Sequence, residues 1–235
     1  MSDNILDNHK IYEGMKLTNK EIALSKIKKY EEEYLGCKYV FINNKSNVTN
    51  IIFTGAGQNY YMMISWFNNN LDYNYLYLNP IYCDYQNTKV YKEIISRCDS
   101  KYYNIIGISY GGYAGLVYAS FLPTQSLIII DPTPLSWIID IETCVKNINA
   151  MIYYHRSLHP DDVKEFTKIR EALEKTSLFY TIRCSLSKTH SSNIPNEEMI
   201  MQYIENSLLL NKSNCKILMT KIENSELARE FLPWT

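Results

Sequence analysis

The 235-residue chain has almost no net charge: 24 lysines and arginines face 25 aspartates and glutamates, for a formal −1 at pH 7. No basic excess is left for a phosphate backbone, which excludes nucleic acid as a partner. Long apolar runs are lacking too. The longest, around Leu127–Ile130, is far too short to span a bilayer, and the polar N-terminus does not read as a signal peptide. The six cysteines (Cys37, Cys83, Cys98, Cys144, Cys184 and Cys215) form no Cys-x-x-Cys pair. Metal-ligand spacing is therefore missing, and free thiols in a reducing, cytoplasmic setting are the expectation. Internal repeats and low-complexity linkers are absent as well. No histidine follows position 190.

What is present is enough chain for one substantial core but not for two full domains. The 21 tyrosines read as the compositional bias of an AT-rich genome rather than as a tyrosine-based function. Residues 1–36 are polar and charged, and Thr18-Asn19-Lys20-Glu21 could open a peripheral helix or arm. From Cys37 onward, apolar strands alternate with helical patterns. Strands are expected at 37–43, 50–54, 73–79, 103–108, 126–131, 179–186 and 216–222. Helices are expected at 60–67, 88–98, 113–121, 196–210 and 225–231. Such alternation predicts an α/β fold with a mostly parallel central sheet of about seven strands and helices on both faces. Residues 135–178 break the rhythm with two or three helical patterns and no strand between them.

The organising stretch is Tyr103–Gly112. An apolar strand runs into Gly107-Ile108-Ser109-Tyr110-Gly111-Gly112 and then into a helical pattern, which places a serine at the apex of a sharp strand-to-helix turn. Gly107-Ile108-Ser109-Tyr110-Gly111 resembles the nucleophile elbow of the α/β-hydrolase superfamily. Earlier in the chain, a strand ends in Thr54-Gly55-Ala56-Gly57, where that superfamily builds half of its oxyanion hole. By this resemblance, backbone N–H groups of Ala56 and Tyr110 would hold the negative oxygen of a tetrahedral intermediate. Many relatives carry His-Gly where this chain has Thr54-Gly55. The resemblance also implies that residues 135–178 form a small helical cap inserted into a domain spanning 37–235, with Trp137, Met151, Tyr153 and Tyr154 as pocket or core residues.

A serine needs a base, and the base needs an orienting group. Asp131, at the end of the strand after the elbow, is the acid candidate; some relatives carry the acid there, and more carry it one strand later. The superfamily places its histidine after the last strand, where this chain has Glu223-Asn224-Ser225-Glu226 instead. Of the four histidines, His9 lies in the polar arm and His155 and His159 fall in the cap segment. His190 lies in Lys188-Thr189-His190-Ser191, at the end of the sheet where ligand-facing residues collect. The candidate triad is therefore Ser109, Asp131 and His190. The resemblance then implies an esterase- or thioesterase-like serine hydrolase that acts on a small-molecule or acylated substrate without metal or organic cofactor. The alternative is a ligand- or partner-binding protein that keeps the fold with a degenerate triad. A nucleotide site on Gly55-Ala56-Gly57 is discounted, because the third glycine and the downstream acid are missing.

Overall fold

The computed structural model describes residues 28–55, 71–78, 84–133, 140–176, 180–184, 188–190 and 197–212. Among the described residues eight strands form one sheet: β1 (Glu31–Tyr34), β2 (Cys37–Ile42), β3 (Val48–Phe53), β4 (Asn74–Leu78), β5 (Tyr102–Ile108), β6 (Thr124–Ile130), β7 (Met151–Arg156) and β8 (Tyr180–Cys184). Their order is β1-β2-β4-β3-β5-β6-β7-β8. The β1–β2 and β2–β4 pairs are antiparallel, and every pair from β4–β3 to β7–β8 is parallel. Five helices are described: α1 (Thr88–Ser96), α2 (Tyr110–Ala119), α3 (Ile141–Asn147), α4 (Pro160–Glu174) and α5 (Glu197–Lys212).

The period-2 geometry of the strands sorts their side chains onto two faces. Ile51, Phe53, Ile105, Leu127, Ile129, Ile152 and Tyr154 pack on one face beneath residues of α1 to α4. Ile52, Ile106, Ile108, Ile128, Ile130, Met151 and Tyr153 pack on the other with Ile200, Tyr203 and Ile204 of α5. Strands covered on both sides can be apolar throughout, as the central ones are. The tyrosine surplus is spent in this core. Tyr75, Tyr77, Tyr85, Tyr113, Tyr118 and Tyr154 are all at most 2% exposed, and several hydroxyls find partners: Tyr118 donates to Tyr85 O at 3.0 Å, and Tyr85 reaches Thr54 O and Leu78 O, both at 3.1 Å.

Three expectations are corrected. Residues 135–178 are not strandless, because Met151–Arg156 is a full sheet member between β6 and β8. Its near-continuous apolar and aromatic character (Met-Ile-Tyr-Tyr-His) matches that of a doubly covered strand. Met151, Tyr153 and Tyr154 are accordingly core residues, and His155 is buried on this strand with its ring 5.3 Å from Tyr203. Glu31–Tyr34 likewise leaves the N-terminal arm to pair with β2. Cys98 and Cys144 are free, whereas Cys37 is disulfide-bonded, against the expectation of free thiols throughout. The helices expected at 60–67 and 225–231, the strand at 216–222, Trp137 and His9 lie outside the described residues.

Candidate active site

Ser109 sits between β5 and α2 with φ 52° and ψ −117°. A serine with positive φ is strained, and it is held by bonds on both sides of its peptide unit. Its N–H donates to Ile130 O at 2.8 Å, and its carbonyl accepts from Gly112 N and Thr133 N, each at 2.9 Å. The turn closes only because glycines flank it. A Cβ on Gly107 would stand 2.3 Å from Gly111 O, and one on Gly111 would stand 2.1 Å from Phe53 O. The start of α2 is thus pressed onto the end of β3, just before Thr54-Gly55. As the first residue of α2, Tyr110 carries an N–H that the helix's own ladder does not use. Its ring stacks on Tyr85 at 5.8 Å, and its hydroxyl donates to Asp84 at 3.0 Å. Ala56, the other expected oxyanion donor, lies outside the described residues.

His190 reaches the serine. Its Nε2 lies 2.8 Å from Ser109 Oγ. Its Nδ1 lies 2.5 Å from Asp162 Oδ1. A carboxylate at Nδ1 selects the tautomer with the proton on that nitrogen, which leaves the Nε2 lone pair to accept from the serine hydroxyl. Asp162 belongs to the first turn of α4, where Pro160 fixes the helix start and the unpaired N–H groups favour an acidic side chain. It is 2% exposed, and its second oxygen accepts from the Ser157 hydroxyl. Ser157 is itself buried and receives the His159 N–H on its oxygen at 2.9 Å. Its role is to hold the acid, since its hydroxyl is turned to Asp162.

Asp131, the acid expected from sequence, stands beside this pair. One oxygen accepts from Ser157 N at 2.7 Å, and its own N–H donates to His155 O at 2.9 Å. Donor atoms of Asp131, Asp162 and His190 all lie within 4.8 Å of one another. Three such groups could ligate a cation, but a cation there would have to displace the proton shared by Nδ1 and Asp162. The carboxylate that accepts from His190 Nδ1 is thus that of Asp162, a residue that sequence reasoning placed only at a helix start. The missing signal was β7. Once Met151–Arg156 is a strand, Asp162 is the acid that follows it.

Further buried polar groups surround Ser109, His190 and Asp162. Tyr113 of α2 donates to Glu165 of α4 at 2.5 Å, and Lys168 meets the other Glu165 oxygen at 2.7 Å. Burial, and then the Glu165 bond, push the Tyr113 phenol far up, so it remains a donor. Tyr154 is also raised well above its usual range, by burial first and then by the nearby Tyr113, Asp131, Asp162 and Glu165. A cleft of about 520 Å³ opens beside His190, lined by Pro132, Thr133, His159, Asp161, Asp162, Lys164 and Glu165. His159, expected in a cap, lines this cleft with its ring 6.2 Å from that of His190.

No protein-family model matches the sequence, and no curated protein matches it significantly. Solved structures do match in shape. An esterase from Pyrococcus furiosus aligns with TM-score 0.54 at 14% identity, over 75% of this chain and 85% of its own. A lipase-esterase related protein from Clostridium acetobutylicum gives 0.52 at 16%, over 73% of this chain and 99% of its own. The fold is α/β-hydrolase-like. Esterase B from Lactobacillus rhamnosis agrees, with TM-score 0.53 at 10% identity over 83% of this chain and 85% of its own. Along this sheet Ser109, Asp162 and His190 follow β5, β7 and β8 in chain order. Among the described residues no helix is long and apolar enough to cross a membrane.

Proposed function

We propose that the protein is a serine hydrolase that cleaves an ester, thioester or amide of a small-molecule or acylated substrate. Ser109 is the nucleophile, His190 the base, Asp162 the orienting acid, and the N–H groups of Tyr110 and Ala56 the oxyanion donors. The observation that carries this reading is the relay Ser109 Oγ–His190 Nε2 at 2.8 Å and His190 Nδ1–Asp162 Oδ1 at 2.5 Å, on a strained elbow. The lack of a histidine after position 190 favours a degenerate triad, whereas the ring of His190, 2.8 Å from Ser109 Oγ, favours a working one.

Ser109 gives its proton to Nε2 as Oγ attacks the carbonyl carbon, and the developing imidazolium is stabilised by Asp162. The Nε2 proton then passes to the leaving group, water releases the acyl chain, and the serine is regenerated. One catalytic domain spans residues 37–235, with β1 joining the edge of its sheet. Cytoplasmic location remains part of the proposal: free Cys98 and Cys144 support it, while the Cys37 disulfide points to an oxidising setting.

The test is covalent labelling by a fluorophosphonate probe. Wild type should label, Ser109→Ala should not, and His190→Ala should label at least about 10³-fold more slowly while unfolding at the wild-type temperature. A wild-type protein that resists the probe, or labelling that survives Ser109→Ala, would refute the hydrolase reading.

A further inference from the structure

The triad leaves one polar group at the reacting atoms without a task. Thr133, two residues beyond Asp131, places Oγ1 3.0 Å from Ser109 Oγ and 3.4 Å from His190 Nε2. Its position does not depend on that side chain, because its N–H is bonded to Ser109 O at 2.9 Å. We propose, resting on the serine-hydrolase reading above, that Thr133 is a catalytic residue of the second half-reaction, where its hydroxyl holds the water that releases the acyl group.

The proton inventory of the three atoms leads there. With the Nδ1 proton committed to Asp162, Nε2 has a single lone pair to offer. Ser109, at 2.8 Å, takes it in preference to Thr133 at 3.4 Å. Thr133 is then left to donate to Ser109 Oγ. Acylation undoes this arrangement. The serine proton leaves by way of Nε2 with the leaving group, and Oγ becomes an ester oxygen whose electron pair is delocalised into the carbonyl. Oγ is now a poor acceptor, and both Nε2 and the threonine hydroxyl are in need of partners on the same side of the acyl carbon.

One water satisfies both. It donates one hydrogen to Nε2 and the other to Thr133 Oγ1, which turns a lone pair toward the acyl carbon. Its O–H bond to Nε2 breaks as the new C–O bond forms. The tetrahedral intermediate then collapses with cleavage of the C–Oγ bond, and the Nε2 proton returns to Oγ. The products are the free acid and the resting serine, with the threonine hydroxyl again donating to Oγ. In the first half-reaction Thr133 contributes little, because Ser109 and His190 are already in contact.

The experiment is pre-steady-state hydrolysis of p-nitrophenyl acetate, with acyl-enzyme followed by intact mass, for wild type, Thr133→Val and Thr133→Ser. Valine keeps the branched shape and the backbone N–H bond but removes the hydroxyl. Thr133→Val should acylate within about threefold of the wild-type rate, deacylate about tenfold or more slowly, and accumulate acyl-enzyme, whereas Thr133→Ser should recover to within about threefold. Equal slowing of both phases by valine, or no change in either, would overturn the proposal while leaving the hydrolase reading intact. Failure of wild type to form any acyl-enzyme, together with failure of Ser109 to take a fluorophosphonate, would overturn both.

Discussion

The two sides of the candidate site are built in different ways. The nucleophile side is local: β5, the elbow and α2 are continuous in sequence, and glycines at 107 and 111 meet backbone within 2.3 Å of where a side chain would start. The acid–base side is assembled across the fold. Asp162 comes from the first turn of α4 after β7, and His190 from the segment after β8, 28 residues later. Local geometry leaves a motif that can be read in five residues. Assembled geometry leaves none, because its only signature is the end of the sheet at which each residue emerges.

The largest effect that would sharpen this contrast comes from exchanging the two buried aspartates for asparagine. Asp162→Asn should cost about 10³- to 10⁴-fold in kcat, because an amide facing Nδ1 no longer selects the productive tautomer. Asp131→Asn should cost about tenfold or less, since an asparagine oxygen can still accept from Ser157 N. Steady-state kinetics on a chromogenic ester, with thermal unfolding beside it, separates the two. The reverse order would restore Asp131 as the orienting acid.

This pair also marks where the sequence was legible. The elbow, the parallel sheet and His190 were each readable, the first from glycine spacing and the others from strand periodicity and loop position. Asp162 was not, for a physical reason. Met151-Ile152-Tyr153-Tyr154-His155 is apolar on both faces and lacks the alternation of a half-buried strand, so periodicity cannot distinguish it from helix. Without β7, the acid falls to Asp131 at the end of β6. With β7 in the sheet, Ser109, Asp162 and His190 follow β5, β7 and β8, and β8 is the last strand among the described residues.

The next effect, in stability, probes how local the nucleophile side is. Gly111→Ala puts a methyl 2.1 Å from Phe53 O and 2.5 Å from Phe53 C. These are backbone atoms in the middle of a sheet and cannot yield cheaply. A loss of about 3 kcal/mol is expected, or a fall of about 6–12 °C in Tm. Gly115→Ala, about one turn further along the same helix side, is the control. Its nearest neighbours are the Ile105 Cγ2 at 3.3 Å and the Leu127 Cδ1 at 3.5 Å. Both are ends of flexible side chains, and the gain in helix propensity of about 1 kcal/mol offsets their displacement. If both substitutions cost alike, α2 is merely tightly packed and the elbow has no special claim on Gly111.

The smallest effect concerns the joint between the two sides. Tyr113 lies one turn into α2 beyond Ser109, and Glu165 lies one turn into α4 beyond Asp162, so their 2.5 Å bond ties the nucleophile's helix to the acid's helix. Glu165 is only 4% exposed, and after Tyr113→Phe it keeps Lys168 as partner through an ammonium that is about half exposed. Solvent screens that ion pair, so it cannot replace the lost donor. The substitution should cost about 1.5–3 kcal/mol, the range for a hydrogen bond to a charged group, read as a lowered urea midpoint with unchanged slope. Because α2 and α4 are each anchored by their own core residues, kcat should fall by no more than about threefold. A double-mutant cycle with Glu165→Gln isolates the bond. Coupling near zero would mean that the two sides are held in place by the sheet alone. A kcat loss far above threefold at intact stability would mean that the assembled side depends on the local one for its geometry, and that the relay is positioned by α2 as well as by α4.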